Sequence, residues 1–564
     1  MNIPAPVESV RTVSSPARRS GSSTPATLLV ALAGSVVGGC SVGPSYQPPE
    51  VKTNDAWIAG VPVAPTVANA RWWTTFGDPV LDKLIERACA QNFTLKAAGL
   101  RVIEARAIRG VAAGQFFPQS QSVGGNLNNR QNSINTPAAM GDRAYPDAEL
   151  KLQAAWELDF WGKFRRSIEA ADASLQAAVG DYDSVMVSLI GDVATNYVLI
   201  RSLQERVALA ESNVRLQQDT LELTNLRFKA GKVGELDVAT ARATLANTRA
   251  QVPELRASLR QAALALSVLL GQQPGTLEDL ITTSQPKVPD APASIATGVP
   301  ADLLRRRPDL RAAERAIAAA TARVGVATAD LYPSISISGN TGFAAASLDN
   351  SRRSKINNIF DANSFTGFIG LNVNWPILNY GRIENNIRAA DARVEQALAA
   401  YNAAVITAAA EVEQNLYLLL QRQQQAVDLT ESVDAARRSV ELAQIQYKNG
   451  AADFIRLNDA QATLFSRQDT LVATKANATI AAINAYRALG GGWEIRSTAE
   501  FVDAATVERM RARTNWGDIL NADYANGSDQ GFARPATPTG DNAQPSTPPT
   551  APAASHSPAA PKSN

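Results

Sequence analysis

The chain has 564 residues, 45% of them apolar, and its 54 Lys plus Arg nearly balance its 53 Asp plus Glu. That balance excludes a strong basic field, so no nucleic acid is expected as a partner. One histidine (His556) and two cysteines (Cys40 and Cys89) are too few for a zinc cluster, a disulfide framework or a Cys–His nucleophile pair. With no Gly-rich phosphate loop and no nucleophile elbow, we expect no catalytic residue, no metal, no cofactor and no enzyme.

Residues 1–39 are predicted to be a bacterial lipoprotein signal peptide. A pair of arginines precedes about a dozen apolar residues, too few to cross a bilayer of roughly 30 Å as a helix. The run Val37-Gly38-Gly39-Cys40 resembles a lipobox, which implies cleavage before Cys40 and lipids on that residue. Ser41, which follows, implies sorting to the outer membrane. An ordinary signal peptide cut by signal peptidase is the alternative.

The mature chain is organised by an internal repeat, since Trp156 to Gly271 recurs as Trp375 to Gly490 at a constant offset of 219 positions. A Pro-rich segment without periodicity precedes it and is expected to lie along the body as a strap. The composition of the C-terminal tail, rich in Ala, Pro, Ser and Thr, predicts disorder. The predicted segments are a lipidated strap (40–77), repeat 1 (78–272), a linker (273–300), repeat 2 (301–493), a C-terminal equatorial segment (494–517) and a tail (518–564).

Each repeat begins with a helix that ends at a proline, and two strands follow. The first helix is predicted from residue 78 or 79 to about 117 and the second from 307 to Pro333. Beyond the prolines the period becomes two, as where Leu150 and Leu152 alternate with Lys151 and Gln153. Strands are predicted at about 119–130, 148–160, 334–344 and 365–377, and these lengths suit tilted membrane-spanning strands.

A soluble four-stranded sheet packed on helices is the alternative for these strands. Trp156, Trp161 and Trp375 at strand ends would suit an aromatic girdle and favour a membrane sheet, as does the lipoprotein signal. Four strands cannot close a barrel, and an open edge is not tolerated in lipid, so the chain must then oligomerise. Two copies would give eight strands with a filled interior; three would give twelve and a watery lumen, which the polar inner face favours.

A long helical hairpin follows the strands in each repeat. The stretches from residue 163 to about 230 and from 382 to about 449 contain no proline and could each extend about 100 Å. In the second stretch the apolar positions advance eleven residues per three turns, which predicts nearly straight or slightly right-handed packing. Past the hairpin turns the spacing becomes seven, which predicts left-handed coiled-coil pairing through Val238, Leu245 and Val252 and through Leu457, Leu464 and Leu471.

Several motifs carry a family resemblance that spans residues 40 to 493. They are Gly39-Cys40-Ser41-Val42-Gly43-Pro44-Ser45-Tyr46, Trp72-Trp73, Phe76-Gly77-Asp78-Pro79, Leu303-Leu304-Arg305-Arg306-Arg307-Pro308-Asp309-Leu310, Tyr332-Pro333-Ser334-Ile335, Asn379-Tyr380-Gly381-Arg382 and Leu489-Gly490-Gly491-Gly492-Trp493. With them the chain resembles the TolC-type outer membrane efflux proteins, and within these the NodT-like lipoproteins that serve resistance-nodulation-division pumps.

The resemblance implies an α+β membrane protein of two tandem repeats, each with two strands and a long helical hairpin. It implies a homotrimer whose twelve-stranded β-barrel lies in the outer membrane and continues into a periplasmic α-helical barrel. The implied partners are a periplasmic adaptor, an inner-membrane resistance-nodulation-division transporter and outer membrane lipid. The chain would then be a passive exit duct for small molecules.

In this family the hairpin turns form the closed periplasmic end. Asp459 matches an acidic ring there and Ile455 an apolar constriction; a solvated helix charge is the alternative for Asp459. At the offset of 219, Asp237 corresponds to Arg456 and Thr240 to Asp459, so the two turns differ in charge at matched positions. We hypothesise that Arg456 pairs with Asp237 or another acceptor on a neighbouring hairpin and holds the gate closed.

The turns themselves are the candidate surface for docking the adaptor. The residues concerned are Val233, Gly234, Glu235, Leu236, Gly450, Ala451, Ala452 and Asp453. Two other functions remain as alternatives: the exit duct of a type I protein secretion system, and a structural coiled-coil lipoprotein that tethers the envelope. The tether would leave the alternating strands and the duplication unexplained.

Overall fold

The computed structural model describes residues 41–51, 54, 56–58, 70–133, 135, 144–277, 287–295, 306–346, 358–496 and 500–521. The predicted signal peptide, the lipidation residue Cys40 and the tail from residue 522 onward lie outside the described residues. The chain divides into two units, residues 1–525 and 526–564. All described residues lie in the first of them.

The described elements form two similar sets. Repeat 1 contains α1 (Pro79–Gln91), α2 (Phe93–Gly114), β1 (Ser120–Gln131), β2 (Ala144–Glu157), α3 (Lys163–Lys229) and α4 (Glu235–Leu269); repeat 2 contains α5 (Pro308–Ala329), β3 (Ser334–Ala346), β4 (Phe365–Asn374), α6 (Arg382–Lys448) and α7 (Phe454–Ala488), and α8 (Ala504–Arg513) follows. The two strands plus long helical hairpin predicted for each repeat are confirmed. Both α3 and α6 have 67 residues, which at 1.5 Å per residue is about 100 Å.

The first helix of repeat 1 is broken, where the sequence predicts one continuous helix to residue 117. α1 ends at Gln91 and α2 begins at Phe93, because Asn92 adopts an extended conformation between them. Its Oδ1 accepts from the amide of Leu95 at 2.8 Å, and its Nδ2 donates to the Leu269 carbonyl at 2.8 Å. Asn92 therefore caps α2 and joins it to the end of α4.

The C-terminal segment is ordered further than the composition predicts. Gly517–Leu520 forms a short 3₁₀ turn, and Leu520 is buried with Ile103 and Met510. The prediction of disorder from about residue 518 is therefore wrong for the first residues of the tail, because the Leu520 side chain is buried in this small core.

The four strands form one antiparallel sheet in the order β1-β2-β3-β4, so β1 and β4 are its edges. Paired residues share a face, and one face is apolar while the other is polar. The apolar face carries Val123, Leu127, Leu150, Leu152, Trp156, Ile335, Ile337, Phe343, Phe365, Ile369, Leu371 and Val373, and the polar face carries Asn126, Asn128, Glu149, Lys151, Gln153, Ser336, Ser338, Asn340 and Asn372. Among the described helices only α3 has a window apolar enough to cross a membrane, and 61% of that window is buried in the protein.

The core lies between the long helices and a set of segments that cross them. One cluster joins α1, α2, α3 and α4 to Trp72, Trp73, Leu277, Val288 and Phe501. A second buries the part of the eleven-residue stripe of α6 from Tyr401 to Leu419 against Trp57 and Ile295, and Ala390 packs with α5 instead. The stripe members that are buried are Ile383, Ala390, Tyr401, Val405, Ala408, Val412, Leu416 and Leu419. The strap and the linker therefore contribute to both clusters, and the C-terminal segment contributes to the first.

The strap begins where the sheet meets the helices. The amide of Val42 donates to the Trp161 carbonyl at 3.1 Å. Gly43 has φ +87° and lies so near Gly325 that a Cβ would stand 2.5 Å from its Cα. Arg166 donates from its guanidinium to the Val42 carbonyl at 3.4 Å, so the first residues of the strap are held on α3 and α5.

Candidate functional site

The two hairpin turns have the same backbone geometry. Gly231 and Gly450 adopt φ of 63° and 74°, the left-handed conformation that glycine accepts without a Cβ clash. The next amides, of Lys232 and Ala451, donate back to the carbonyls of Arg227 and Gln446 at 2.9 and 2.8 Å. Both long helices thus end in the same glycine cap, and the turns differ only in side chains.

The proposed gate residues of α7 share one exposed face. Asp459 lies four residues after Ile455 and three after Arg456, and all three side chains are exposed. On the opposite side Phe454 and Leu457 are buried at the tip. The first turn of α7 is thus anchored by two apolar side chains, while the three candidate gate side chains point away from the chain's own core.

The proposed pair of Arg456 and Asp237, called the latch below, does not form within one copy. Asp237 and Thr240 are half-buried on α4, and Thr240 Oγ1 donates to the Leu236 carbonyl at 2.8 Å. Within the part of the chain that the structure describes, no ion pair joins Arg456 to Asp237. A latch between them would have to form with another copy.

The candidate docking residues form the surface of both turns. Val233 and Ala452 are half-buried, and Val233 packs against the tip cluster. The other members, which are Gly234, Glu235, Leu236, Gly450, Ala451 and Asp453, are exposed. Leu236 is 74% exposed, so the first turn of α4 presents one large apolar side chain beside the carboxylates of Glu235 and Asp237.

Sequence reasoning missed the contacts that join the two hairpins. Tyr447 is fully buried, its ring lies 5.9 Å from that of Phe454, and its hydroxyl donates to Thr224 Oγ1 at 3.2 Å. Two further links are Gln461 Nε2 to Thr220 Oγ1 at 2.9 Å and Thr244 Oγ1 to Asn458 Oδ1 at 3.0 Å. The only signal was a row of polar residues on the inner face of a helix, which sequence alone cannot assign to a partner.

The fold and the repeated hairpins define an outer membrane channel subunit. Residues 84–272 and 299–491 match the model of the outer membrane efflux protein family, and the chain belongs to this family. It is 31% identical to nodulation protein T of Rhizobium leguminosarum bv. trifolii over 77% of this chain and 91% of that protein. It is 32% identical to the pyoverdine export outer membrane protein OpmQ of Pseudomonas putida over 77% and 90%.

Solved channels have the same fold. The outer membrane channel OprN matches at 35% identity with a TM-score of 0.74, over 81% of this chain and 100% of that one. The open state of the MtrE channel of Neisseria gonorrhoeae matches at 25% identity with a TM-score of 0.71, over 80% and 99%. The predicted family is confirmed: this is a NodT-like outer membrane efflux protein. It has the α+β fold of the trimeric channels, and it is the exit duct of a tripartite efflux pump. Members of this family are channel proteins rather than enzymes.

Proposed function

We propose that three copies of this chain close into one duct, with β1 of each copy pairing with β4 of the next. The observation that carries this is the sheet, which has two unpaired edges, one apolar face and one polar face. Closure would satisfy the edges in lipid. Twelve strands would leave a watery lumen lined by the polar face, continuous with a periplasmic barrel built from α3, α4, α6 and α7.

The strap supports a lipid anchor in the outer membrane on Cys40. Val42, two residues on, is bonded to Trp161 at the root of α3, and the Trp161 indole donates to the Pro333 carbonyl at 2.8 Å and stacks on Tyr332. Aromatic rings of this kind sit at the membrane interface. A lipid on Cys40 would therefore enter the inner leaflet beside the barrel, which itself spans the membrane.

The partners we infer are a periplasmic adaptor and an inner-membrane resistance-nodulation-division transporter. The adaptor would dock on Val233 to Leu236 and on Gly450 to Asp453, where apolar and acidic groups stand exposed at the periplasmic end. The transporter would supply energy and select the solute. This chain would conduct passively and catalyse no reaction.

The exposed face of Ile455, Arg456 and Asp459 would form the closed periplasmic gate. Three copies of Asp459 would attract cations and repel each other, so the closed state needs compensation. Arg456 facing Asp237 of the next copy would supply it, at about 0 to 1 kcal/mol per exposed pair. Three such pairs can bias a two-state gate, which responds to a few kcal/mol.

Conductance of the purified channel in planar bilayers tests the gate. Arg456→Ala should raise the closed-state conductance, because the Asp459 ring loses its compensating charge. Arg467→Ala, an exposed arginine on the same helix, should leave it unchanged. An Arg456→Ala channel that conducts like the wild type would remove the latch from this account.

A further inference from the structure

A polar niche lies where one helix ends beneath the start of another. α7 ends at Ala488 and α5 begins at Pro308, and Arg307 bridges the break by donating from Nη1 to the Ala488 carbonyl at 2.9 Å. Beside this break is a cavity of ≈ 290 Å³ lined by α3, α5, α6 and α7. Its size is near the lower end for ligand pockets, enough for a small molecule or one end of a larger one.

Two carboxylates that correspond in the repeat stand at this level. Asp192 on α3 and Glu411 on α6 are separated by the repeat offset of 219 positions. Each is followed four residues later by an asparagine, Asn196 or Asn415, whose Nδ2 donates to the main-chain oxygen of that acid at 2.9 or 2.7 Å. The same local arrangement therefore presents an acid on each of the two long helices.

Each of these carboxylates has an arginine partner. Arg487 donates from Nη1 to Asp192 Oδ1 at 2.9 Å and from Nη2 to Ser188 Oγ at 3.5 Å. Arg307 donates to Glu411 Oε2 at 2.8 Å. The Arg487 and Glu411 side chains are 41% and 48% exposed, so both face open space from the walls of the cavity.

The niche faces away from the buried core. On α3, Asp192 and Ser188 lie on the side opposite Ile190 and Tyr197, which are buried in the cluster that holds the linker and the C-terminal segment. On α7, Arg487 lies opposite Ala485, which is buried in the cluster that holds the strap. We place the strap and the linker on the outer surface of the proposed duct, which leaves the niche open to the lumen; this step rests on the proposed function.

The niche has both hydrogen-bond donors and acceptors that are not used within the described residues. An arginine has five N–H donors, and the structure gives Arg487 two acceptors among the described residues. Glu411 Oε1 has no donor among them, because Arg307 engages Oε2. A solute carrying a carboxylate and an ammonium group could therefore bind both walls without breaking either ion pair.

The niche occurs once in each copy. In repeat 1 the position that corresponds to Arg487 is Val268, which is 74% exposed. The helices before the strands correspond at an offset of 215 positions, as Leu95 does to Leu310, so the position that corresponds to Arg307 is Asn92. The first helix break therefore carries uncharged side chains where the second carries two arginines. A closed duct of three copies would contain three such niches.

We propose that this niche is a transit site for small zwitterionic solutes, with Arg487 receiving the carboxylate and Glu411 the ammonium group. Charge-assisted hydrogen bonds orient the solute. Since conduction requires sites that release as readily as they bind, the site is a weak one. It lies on the inner wall, far along α6 and α7 from the gate at the turns.

Saturation-transfer NMR of glycylglycine with the full-length protein in detergent tests the site. Glycylglycine should bind the wild type, and Arg487→Gln and Glu411→Gln should each weaken binding by about tenfold. Arg393→Gln, an exposed arginine higher on α6, should bind as the wild type does. The uncharged analogue, N-acetylglycylglycine amide, should not compete.

Absence of glycylglycine binding, equal binding to Arg487→Gln, or equal binding of the uncharged analogue would overturn the transit site. Channel conductance measured on the same preparations separates this result from the proposed function. A protein that conducts ions and fails to bind glycylglycine contradicts the niche alone, whereas a protein that does not conduct contradicts the duct itself.

Discussion

The guanidinium carbon of Arg227 lies 4.4 Å from the centre of the Tyr447 ring, and Arg227 Nη1 donates to the Tyr447 main-chain oxygen. Arg227 belongs to the last turn of α3 and Tyr447 to the last turn of α6, so this contact joins the tips of the two hairpins of one copy. The tips therefore form one unit, and opening of the proposed gate must either separate neighbouring copies or break this contact.

Loss of the Arg227 side chain should loosen both tips. A cation–π contact and a hydrogen bond of this kind contribute about 1 to 2 kcal/mol together, so Arg227→Ala should speed amide hydrogen exchange around the turns by roughly 5- to 30-fold. Lys232→Ala, an exposed lysine on the same turn, is the matched control and should exchange as the wild type does. Equal exchange in Arg227→Ala would show that other contacts hold the tips together.

A charge on the apolar face of the sheet should block membrane insertion. Ile369, in the middle of β4, is 83% exposed in one copy, and a lysine there would face lipid at a cost of about 2 to 4 kcal/mol. Asn372→Lys places the same charge on the polar face of the same strand. Cell fractionation should show Ile369→Lys depleted from the outer membrane and Asn372→Lys retained; equal retention of both would favour a sheet that does not contact lipid.

Removal of Arg496 should destabilise the protein by leaving a buried carboxylate without its partner. Arg496 Nε donates to Asp183 Oδ1 at 2.8 Å, and the Asp183 side chain is fully buried. Breaking a buried pair from one side costs about 3 to 5 kcal/mol, so Arg496→Leu should lower the Tm of the detergent-extracted protein by several degrees. Arg513→Leu, exposed on α8, should not lower it.

Acidification should weaken the attachment of α8. The Lys96 ammonium, 2.7 Å from Asp503 Oδ2, holds the pKa of that carboxyl well below its usual range, with hydrogen bonds from Thr506 adding to the effect. Because the pKa of Asp503 is lower in the folded chain than in the unfolded chain, its ionised form stabilises the fold at any pH above the unfolded pKa of about 4. This stabilisation is lost as the pH falls from there toward the folded pKa.

Asp503→Asn should therefore reduce the Tm at pH 7, by a small amount because the pair is partly exposed. The difference from the wild type should shrink when the two proteins are compared at pH 3. Thermal unfolding followed by circular dichroism at both pH values provides the comparison, and a difference that grows on acidification would reverse the assigned sign.

Hydrophobic periodicity predicts the helices and strands correctly where the periodic pattern extends over many residues. The 67-residue helices and the four strands could be predicted because many residues share one period. The break at Asn92 could not, because it depends on a single side chain that bonds to Leu269, 177 positions away. The same limit applies to Asp183 with Arg496, which come together only when the C-terminal segment crosses α3.

Part of the candidate site could likewise be predicted from the sequence, and part could not. The exposure of Ile455, Arg456 and Asp459 on one face follows from helical spacing, and their proposed role follows from the family resemblance. The link between Arg227 and Tyr447 depends on how two hairpins pack, and no local pattern reports that. Family membership also decides between the functions that the sequence left open, in favour of efflux over an envelope tether.

The central claim is that three copies close into one duct, and native mass spectrometry of the full-length protein extracted from outer membranes tests it most directly. The predicted result is a complex of three identical chains that retains lipid on each copy. A monomer would match a tether, and a dimer would close only eight strands around a filled interior; either result would contradict the account.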